Sequence, residues 1–498
     1  MTLPSAASQG AADAFFGASP TLTQAAAGRR YSARVPDPSQ SVAPAGWSPE
    51  SWKGRPCAQP IAYSDADALD EAVRSLSLLP PLVTSWEIER LREELAQAES
   101  GGRFILQGGD CAETFDDCRP ELIANKLKIL LQMSLVIVHG LKKPVTRIGR
   151  FAGQYAKPRS SMVETRSGPG GVPVTLPSYF GDLINRAAFT PEARRLDPAL
   201  MIKGHEHAAM TLNFIRSLVE GGFADFHHPE YWNLDFLRHG GLPGDVRADY
   251  ERTAREMVDG LRFMEALGER AVDQLTRVEF FTSHEGLNLH YEAAQTRTVP
   301  RRSGWYDLST HLPWIGDRTR AVDGAHVEHF RGVRNPVGVK IGPSATVGDV
   351  EGLWTALNPR NERGRLVFIS RMGASRVRDS LPPLVEAMAR RKASVVWICD
   401  PMHGNGTVLA DGLKTRSFGA ILEELEATCG IFERAGVPLG GVHFELTGED
   451  VAECVGGAAG VREEDLRRHY ASPCDPRLNY RQSLEMAFLI SRRLGRRE

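Results

Sequence analysis

Four residues far apart in the chain, Cys111, His403, Glu445 and Asp475, offer a thiolate, an imidazole and two carboxylates. All are competent ligands for a divalent first-row metal, and a mixed set of this kind suits Mn, Co, Fe or Zn. A second group is cationic: Arg150, Lys157, Arg159, Arg318, Lys340 and Arg371. Arginine grips phosphate or carboxylate with two parallel hydrogen bonds and lysine acts as a point charge, so the mixture suits a substrate carrying several anionic groups. Taken singly, each residue has a plainer reading. Cys111 can be a small buried residue, Glu445 half of an ion pair, and any one cation a surface residue. What joins them is where they fall.

Most of them stand at the ends of apolar runs. The stretch 395–405 passes from Val-Val-Trp-Ile-Cys to Asp-Pro-Met-His-Gly-Asn, the pattern of a buried parallel strand that delivers a polar loop at its carboxyl end. Similar runs occupy 104–111, 145–150, 278–285, 314–318, 337–340, 366–371 and 442–445. Short strands that each deliver a reactive side chain at the C-terminal end predict a (β/α)8 barrel with its active site at the top of the strands. Cys111, His403 and Glu445 would then meet from independent strands, with Asp475 arriving from the final loop.

The rest of the chain must serve that barrel. Its 498 residues fit one elaborated barrel, and 42% hydrophobic with 24% charged residues is ordinary for a globular protein. A net charge of −2 gives no bulk attraction to nucleic acid or an anionic membrane, and no apolar run approaches the roughly 20 residues that cross a bilayer. Seven scattered cysteines without a CxxC pair point to a reducing compartment and away from a disulfide scaffold or zinc finger. Residues 1–45, rich in Ala, Ser, Gly and Pro, read as a disordered tail, with a plastid transit peptide as the alternative to a cytoplasmic protein. Residues 46–102 form an N-terminal helical extension: one helix over 65–79, then a second opened by a Thr84/Glu87 capping box and running through Ala98. Both are expected outside the barrel domain, 103–498. Well over a hundred residues separate the second and third strands, too many for one crossover helix. The segment 161–277 is therefore a helical insertion, with a Gly/Pro loop at 167–177, a helix at 207–220 and an amphipathic stretch at 248–267.

Several motifs also carry a family resemblance. Gln107-Gly-Gly-Asp-Cys-Ala-Glu-Thr-Phe115, Gly153-Gln-Tyr-Ala-Lys-Pro-Arg-Ser160, Trp314-Ile-Gly-Asp-Arg-Thr-Arg320, Asp323-Gly-Ala-His326, Asp400-Pro-Met-His-Gly-Asn405 and Cys474-Asp-Pro-Arg-Leu-Asn479 stand in that order. Together they closely resemble the plant-like class II 3-deoxy-D-arabino-heptulosonate 7-phosphate (DAHP) synthases, from about Trp47 to the C-terminus. The resemblance implies the entry reaction of the shikimate pathway, in which phosphoenolpyruvate and erythrose 4-phosphate condense. It implies one divalent metal, Mn or Co favoured, at Cys111, His403, Glu445 and Asp475. Arg150, Asp317, Arg318, Lys340 and Arg371 would hold phosphoenolpyruvate, and Lys157, Arg159 and Ser160 erythrose 4-phosphate. Lys157 is the implied proton donor and Glu285 the residue that orients water. Also implied are a dimer or tetramer, a possible chorismate mutase partner, and inhibition by aromatic amino acids through the extension. A non-catalytic paralogue that binds such a partner is the alternative. Two departures stand out: Asp317 replaces the family's Glu, and Phe180 in Ser178-Tyr-Phe-Gly-Asp182 replaces its Arg. Finally, one metal would draw Cys111 and Cys474 together, so mild oxidation of the metal-free chain would link them as a disulfide, the alternative being Cys474 as a buried bystander.

Overall fold

The computed structural model describes residues 44, 46–221, 248, 252, 279–458 and 460–495. Eight parallel strands close into a barrel in chain order: β1 (Phe104–Gly109), β2 (Val145–Arg150), β3 (Phe280–Glu285), β4 (Leu312–Ile315), β5 (Val337–Ile341), β6 (Leu366–Ser370), β7 (Val396–Cys399) and β8 (Gly441–Glu445), which pairs back onto β1. Each falls on one of the predicted runs, although Val278 lies outside the described residues. The runs are continuous because both faces of the sheet are covered. Ile105, Ile148, Phe281, Trp314, Val367 and Ile398 fill the lumen, while Phe104, Leu106, Val442 and Phe444 pack outward against helices. Higher in the lumen the filling turns polar, with Gln107 donating to Ser283 Oγ at 2.9 Å and Lys340 and His443 buried nearby. Register then places the top of the barrel. Gly109 pairs with Arg150 on one side and Glu445 on the other, so those two side chains leave the rim at one level.

The two N-terminal helices form as predicted, α1 over Ala66–Leu78 and α2 over Ser85–Glu99. The Thr84 capping box is present, Thr84 N–H donating to Glu87 at 2.7 Å. Their expected place outside the barrel needs correction for α2. Its stripe Leu91, Leu95 and Ala98 belongs to the same apolar cluster as the lumen residues. Glu94 accepts the Thr146 hydroxyl at the foot of β2 (2.6 Å), and Glu99 accepts the Gly364 N–H just before β6 (3.1 Å). At Gly364, where φ is +69°, a Cβ would come within 2.1 Å of the Arg92 carbonyl. So α2 lies across the N-terminal mouth as a floor. An apolar stripe must be covered, and the open lumen supplies the cover.

The first crossover helix, α3 (Pro120–Leu141), is long and apolar enough to cross a membrane, contrary to the sequence expectation. Here it packs against α6 (Tyr480–Leu494), so closely that a Cβ on Gly140 would meet Ser491 Oγ at 1.6 Å. In the insertion, the expected helix is α4 (Ala199–Glu220), which packs on α1 and α3. The expected Gly/Pro loop is instead a β-hairpin, Val163–Ser167 paired with Pro173–Pro177, its turn made by Gly170 and Gly171 at positive φ. The stretch 249–267, save residue 252, lies outside the described residues, as do residues 1–43 of the predicted tail. A second hairpin, Gly406–Val408 with Lys414–Arg416, follows β7 and was not expected. Helix α5 (Phe418–Ala435) then leads to β8.

Candidate active site

A cavity of about 650 Å3 opens at the C-terminal ends of the strands. It is lined by Cys111, Arg150, Lys157, Arg159, Ser160, Glu285, Asp317, Arg318, Lys340, Arg371, His403 and Asp475, with the fully buried Glu445 just beneath. Every site residue expected from sequence is thus brought to one mouth. His326, from the fourth motif, is buried elsewhere against the Leu287 carbonyl (3.2 Å).

The four metal-competent residues converge. Ligand atoms of Cys111, Glu445 and Asp475 lie within 4.8 Å of one another, and His403 Nε2 is 2.8 Å from Glu445 Oε1. His403 Nδ1 faces Asp400 Oδ2 at 2.7 Å, which leaves Nε2 turned to Glu445. Burial opposes ionisation of Asp400, yet His403 and Lys340 hold its carboxyl well below the usual range. Burial opposes that of Glu445 too, and is outweighed by His403, Lys157, Arg416 and Arg150. The cage is negative enough to draw in an ammonium. Lys157 Nζ touches Cys111 Sγ and stands 3.3 Å from Glu445 and 2.5 Å from Asp475. Those carboxylates and the thiol raise the Lys157 pKa despite burial, so it stays charged. One sulfur, one imidazole nitrogen and two carboxylates around a point that takes a cation fit a divalent transition metal.

The cations are fixed by their neighbours. Arg150 donates to the carbonyls of Asp110 (2.9 Å) and Cys111 (3.2 Å) and to Glu445 Oε1 (3.0 Å), and lies over the Trp314 ring. Lys340 pairs with Asp400, and burial, with Arg150 adding to it, brings its pKa down to about 8 in spite of that carboxylate. Arg371 donates to Asp317 (3.0 Å) and to the His403 carbonyl (2.7 Å). Asp317 also accepts the Gly342 N–H and Arg320 Nε, each at 3.0 Å. Its oxygens are therefore engaged in aiming Arg371. Arg318 donates to Ser160 Oγ at 3.0 Å, and the Arg159 N–H to Gln59 Oε1 at 3.1 Å. The Phe180 substitution costs the site nothing visible: the ring is buried and the Phe180 carbonyl accepts the Lys157 N–H at 2.8 Å.

Glu285 differs from the other acids. Burial pushes its carboxyl up to about 7, although Lys157, Lys340, Arg150 and Arg318 pull the other way. Its Oε1 has no hydrogen-bond partner among the described residues. A half-buried carboxyl that changes charge near neutrality beside cations is suited to handling a proton or a water. Sequence reasoning missed Arg416, Lys414 and His443. Arg416 donates to Glu445 Oε2 at 2.7 Å, and Lys414 to Asp475 at 2.8 Å. His443, which burial and the nearby Lys340 and Arg150 keep neutral, touches Arg150. It stands two residues before Glu445, hence on the same strand face, and that period was legible.

Residues 47–491 match the profile of the Class-II DAHP synthetase family. Two known proteins, both called phospho-2-dehydro-3-deoxyheptonate aldolase, are similar to the chain over most of its length. The one from Neurospora crassa is 45% identical over 462 residues, 90% of this chain and 94% of that protein. The one from Streptomyces coelicolor is 45% identical over 441 residues, 89% and 96% respectively.

Proposed function

The chain belongs to the class-II DAHP synthetase family, and we infer that the mouth of its barrel is where phosphoenolpyruvate and D-erythrose 4-phosphate meet. Its activity is that of a DAHP synthase, the first step of the shikimate pathway: the two substrates and water give 3-deoxy-D-arabino-heptulosonate 7-phosphate and phosphate. The observation that carries the placement is the meeting, at one mouth, of eight cations with the cluster of Cys111, Glu445 and Asp475 and the His403 that touches it.

Arg150, Arg318, Lys340 and Arg371 hold the carboxylate and phosphate of phosphoenolpyruvate, with Asp317 keeping Arg371 in its aim. Arg159 and Ser160 take the phosphate of erythrose 4-phosphate. Cys111, His403, Glu445 and Asp475 would hold a divalent metal, which when bound would supply Lewis acidity toward the aldehyde. C3 of phosphoenolpyruvate forms the new bond to the aldehyde carbon, and Lys157, held as ammonium beside the cage, gives its proton to the aldehyde oxygen. Glu285 orients the water that adds at C2 and accepts its proton. Breaking the bond between C2 and the bridging oxygen then releases phosphate, which carries off the C2 hydroxyl proton, and leaves the ketone. The non-catalytic alternative has no support in the site, where every expected donor is in place. A phosphate-release assay with metal analysis tests the reading. Release should need both substrates and disappear when chelation strips the metal; release from phosphoenolpyruvate alone, or unchanged turnover after metal removal, refutes it.

A further inference from the structure

Of the four proposed metal ligands only Glu445 lies within a strand, and His403 sits in a turn four residues past the end of β7. Cys111 stands just past the end of β1, and Asp475 lies in a segment, 470–477, without helix or strand. His403 is aimed by Asp400, and Glu445 is gripped by Arg150 and Arg416. For Cys111 and Asp475 the corresponding support is a buried charge quartet, Lys126, Asp110, Arg477 and Glu453. None of the four is among the residues lining the cavity.

The contacts run in one chain. Lys126 pairs with Asp110 at 2.5 Å, and Asp110 Oδ1 accepts Arg477 Nη1 at 2.7 Å. Glu453 takes the rest of Arg477, accepting its N–H (2.7 Å), Nε (3.0 Å) and Nη2 (2.8 Å). Glu453 also accepts the Ala471 N–H at 3.2 Å, so a single carboxylate ties both ends of the segment that carries Asp475. Its backbone carbonyl accepts the Thr415 hydroxyl at 2.8 Å, which binds the hairpin holding Lys414 and Arg416 to the same point. On the site side, the Asp475 N–H donates to Cys111 Sγ at 3.2 Å. The quartet joins two cations to two anions, and Lys126 also faces the buried Glu113 at 3.7 Å. Apolar packing could fill this space at less desolvation cost, but it would not fix a distance as a two-ended guanidinium does.

We propose that Arg477 is a positioning residue which, clasping Asp110 beside Cys111 and Glu453 behind Asp475, sets the gap between those two ligands and so the affinity of the site for a divalent cation. The inference rests on the metal-site reading above, and wild-type metal binding tests that reading separately. Mn2+ and Co2+ affinities are measured by competition with a chromophoric chelator for the wild type, Arg477→Lys, Asp110→Asn and the double variant. Lysine keeps the charge but loses the fork, and asparagine keeps an acceptor for Arg477. Each single variant should bind metal ten- to a hundredfold more weakly, with altered Co2+ absorption bands, an unchanged circular dichroism spectrum, and a phosphoenolpyruvate KM at saturating metal within about twofold of wild type. The double variant should be no weaker than the worse single one, because Arg477 acts through Asp110. Should Arg477→Lys fail to fold, Asp110→Asn and Glu453→Gln carry the same measurement. Folded variants that bind metal as tightly as wild type, or single effects that simply add, overturn the proposal. A wild type that binds no metal overturns the metal-site reading instead.

Discussion

Arg371 serves two sites at once, since it reaches into the cavity while its guanidinium donates to Asp317 and to the His403 carbonyl. Losing one charge-assisted hydrogen bond to an anion costs about 1.5–3 kcal/mol. Arg371→Ala should therefore raise the phosphoenolpyruvate KM at least about tenfold, leave that for erythrose 4-phosphate nearly unchanged, and weaken metal binding slightly through His403. Equal effects on the two substrate constants would show that the cations are partitioned wrongly. Glu285 gives a pH prediction. Its folded pKa is raised from 4.5 to about 7, so between those values the unfolded chain holds fewer protons than the native one and stability falls as pH rises. The contribution is about 3 kcal/mol, fully present below pH 4.5 and lost above about 7. Urea midpoints followed across this window should decline more steeply for wild type than for Glu285→Gln; parallel curves would exclude the burial argument. The thiols give a third prediction. Cys111 and Cys474 share an apolar cluster with Tyr179, and both are free. A hydrogen bond from Cys111, aided by Lys157 and Arg159 against burial, draws the Cys474 pKa down to about 7, where thiolate forms at neutral pH. Mild oxidation of metal-stripped protein should yield a linked Cys111–Cys474 peptide and inactivity, reversed by reductant with metal. Cys474→Ser should be spared, and inactivation of both proteins alike without a linked peptide would end the idea.

At the scale of elements, the strands were the most legible part of the sequence. Strands buried on both faces carry apolar residues on both, and their C-terminal ends open into the site, so each run ends on a chemical group such as Arg150 or Glu445. The two hairpins were not legible. Val163–Ser167 is largely exposed, and Lys414–Arg416 spans three residues, too few to show a period. Arg416 escaped notice for that reason, although it grips Glu445. Helix α2 shows the other limit. Its stripe of Leu91, Leu95 and Ala98 announces an apolar face, but nothing local says that the lumen is what covers it. Leu95 is fully buried there, so Leu95→Ala should cost about 2–5 kcal/mol and lower the melting temperature by several degrees. Both substrate KM values should hold at lower temperature, because the helix is at the opposite end of the barrel from the cavity. An unchanged melting temperature would mean that α2 is a dispensable cover.

On the scale of the whole molecule, the floor and the mouth depend on the same strands, and truncation from the N-terminus separates what is appended from what is integral. Residues 1–43 are poor in the large apolar side chains that could join a core, and their deletion should leave melting temperature and turnover within error. The next boundary is sharper. Trp47 and Trp52 are buried in the outer core, Trp47 donating its indole N–H to the Glu328 carbonyl at 2.8 Å. Gln59 meets the backbone of Arg159 at the mouth, and α2 closes the foot. Removing residues 1–99 would expose the lumen layer around Ile105, Phe281 and Ile398 and strip the partners of Thr146 and Gly364, leaving buried polar groups unpaired. The family resemblance implies that loss of these helices changes inhibition or oligomer size; the packing of α2 against the lumen adds the prediction that the fold is lost with them. The 1–99 deletion should be recovered, if at all, as aggregated protein without a cooperative melting transition, while the 1–43 deletion behaves as wild type. A soluble, cooperatively melting 100–498 chain that still releases phosphate would show that the barrel stands without its floor.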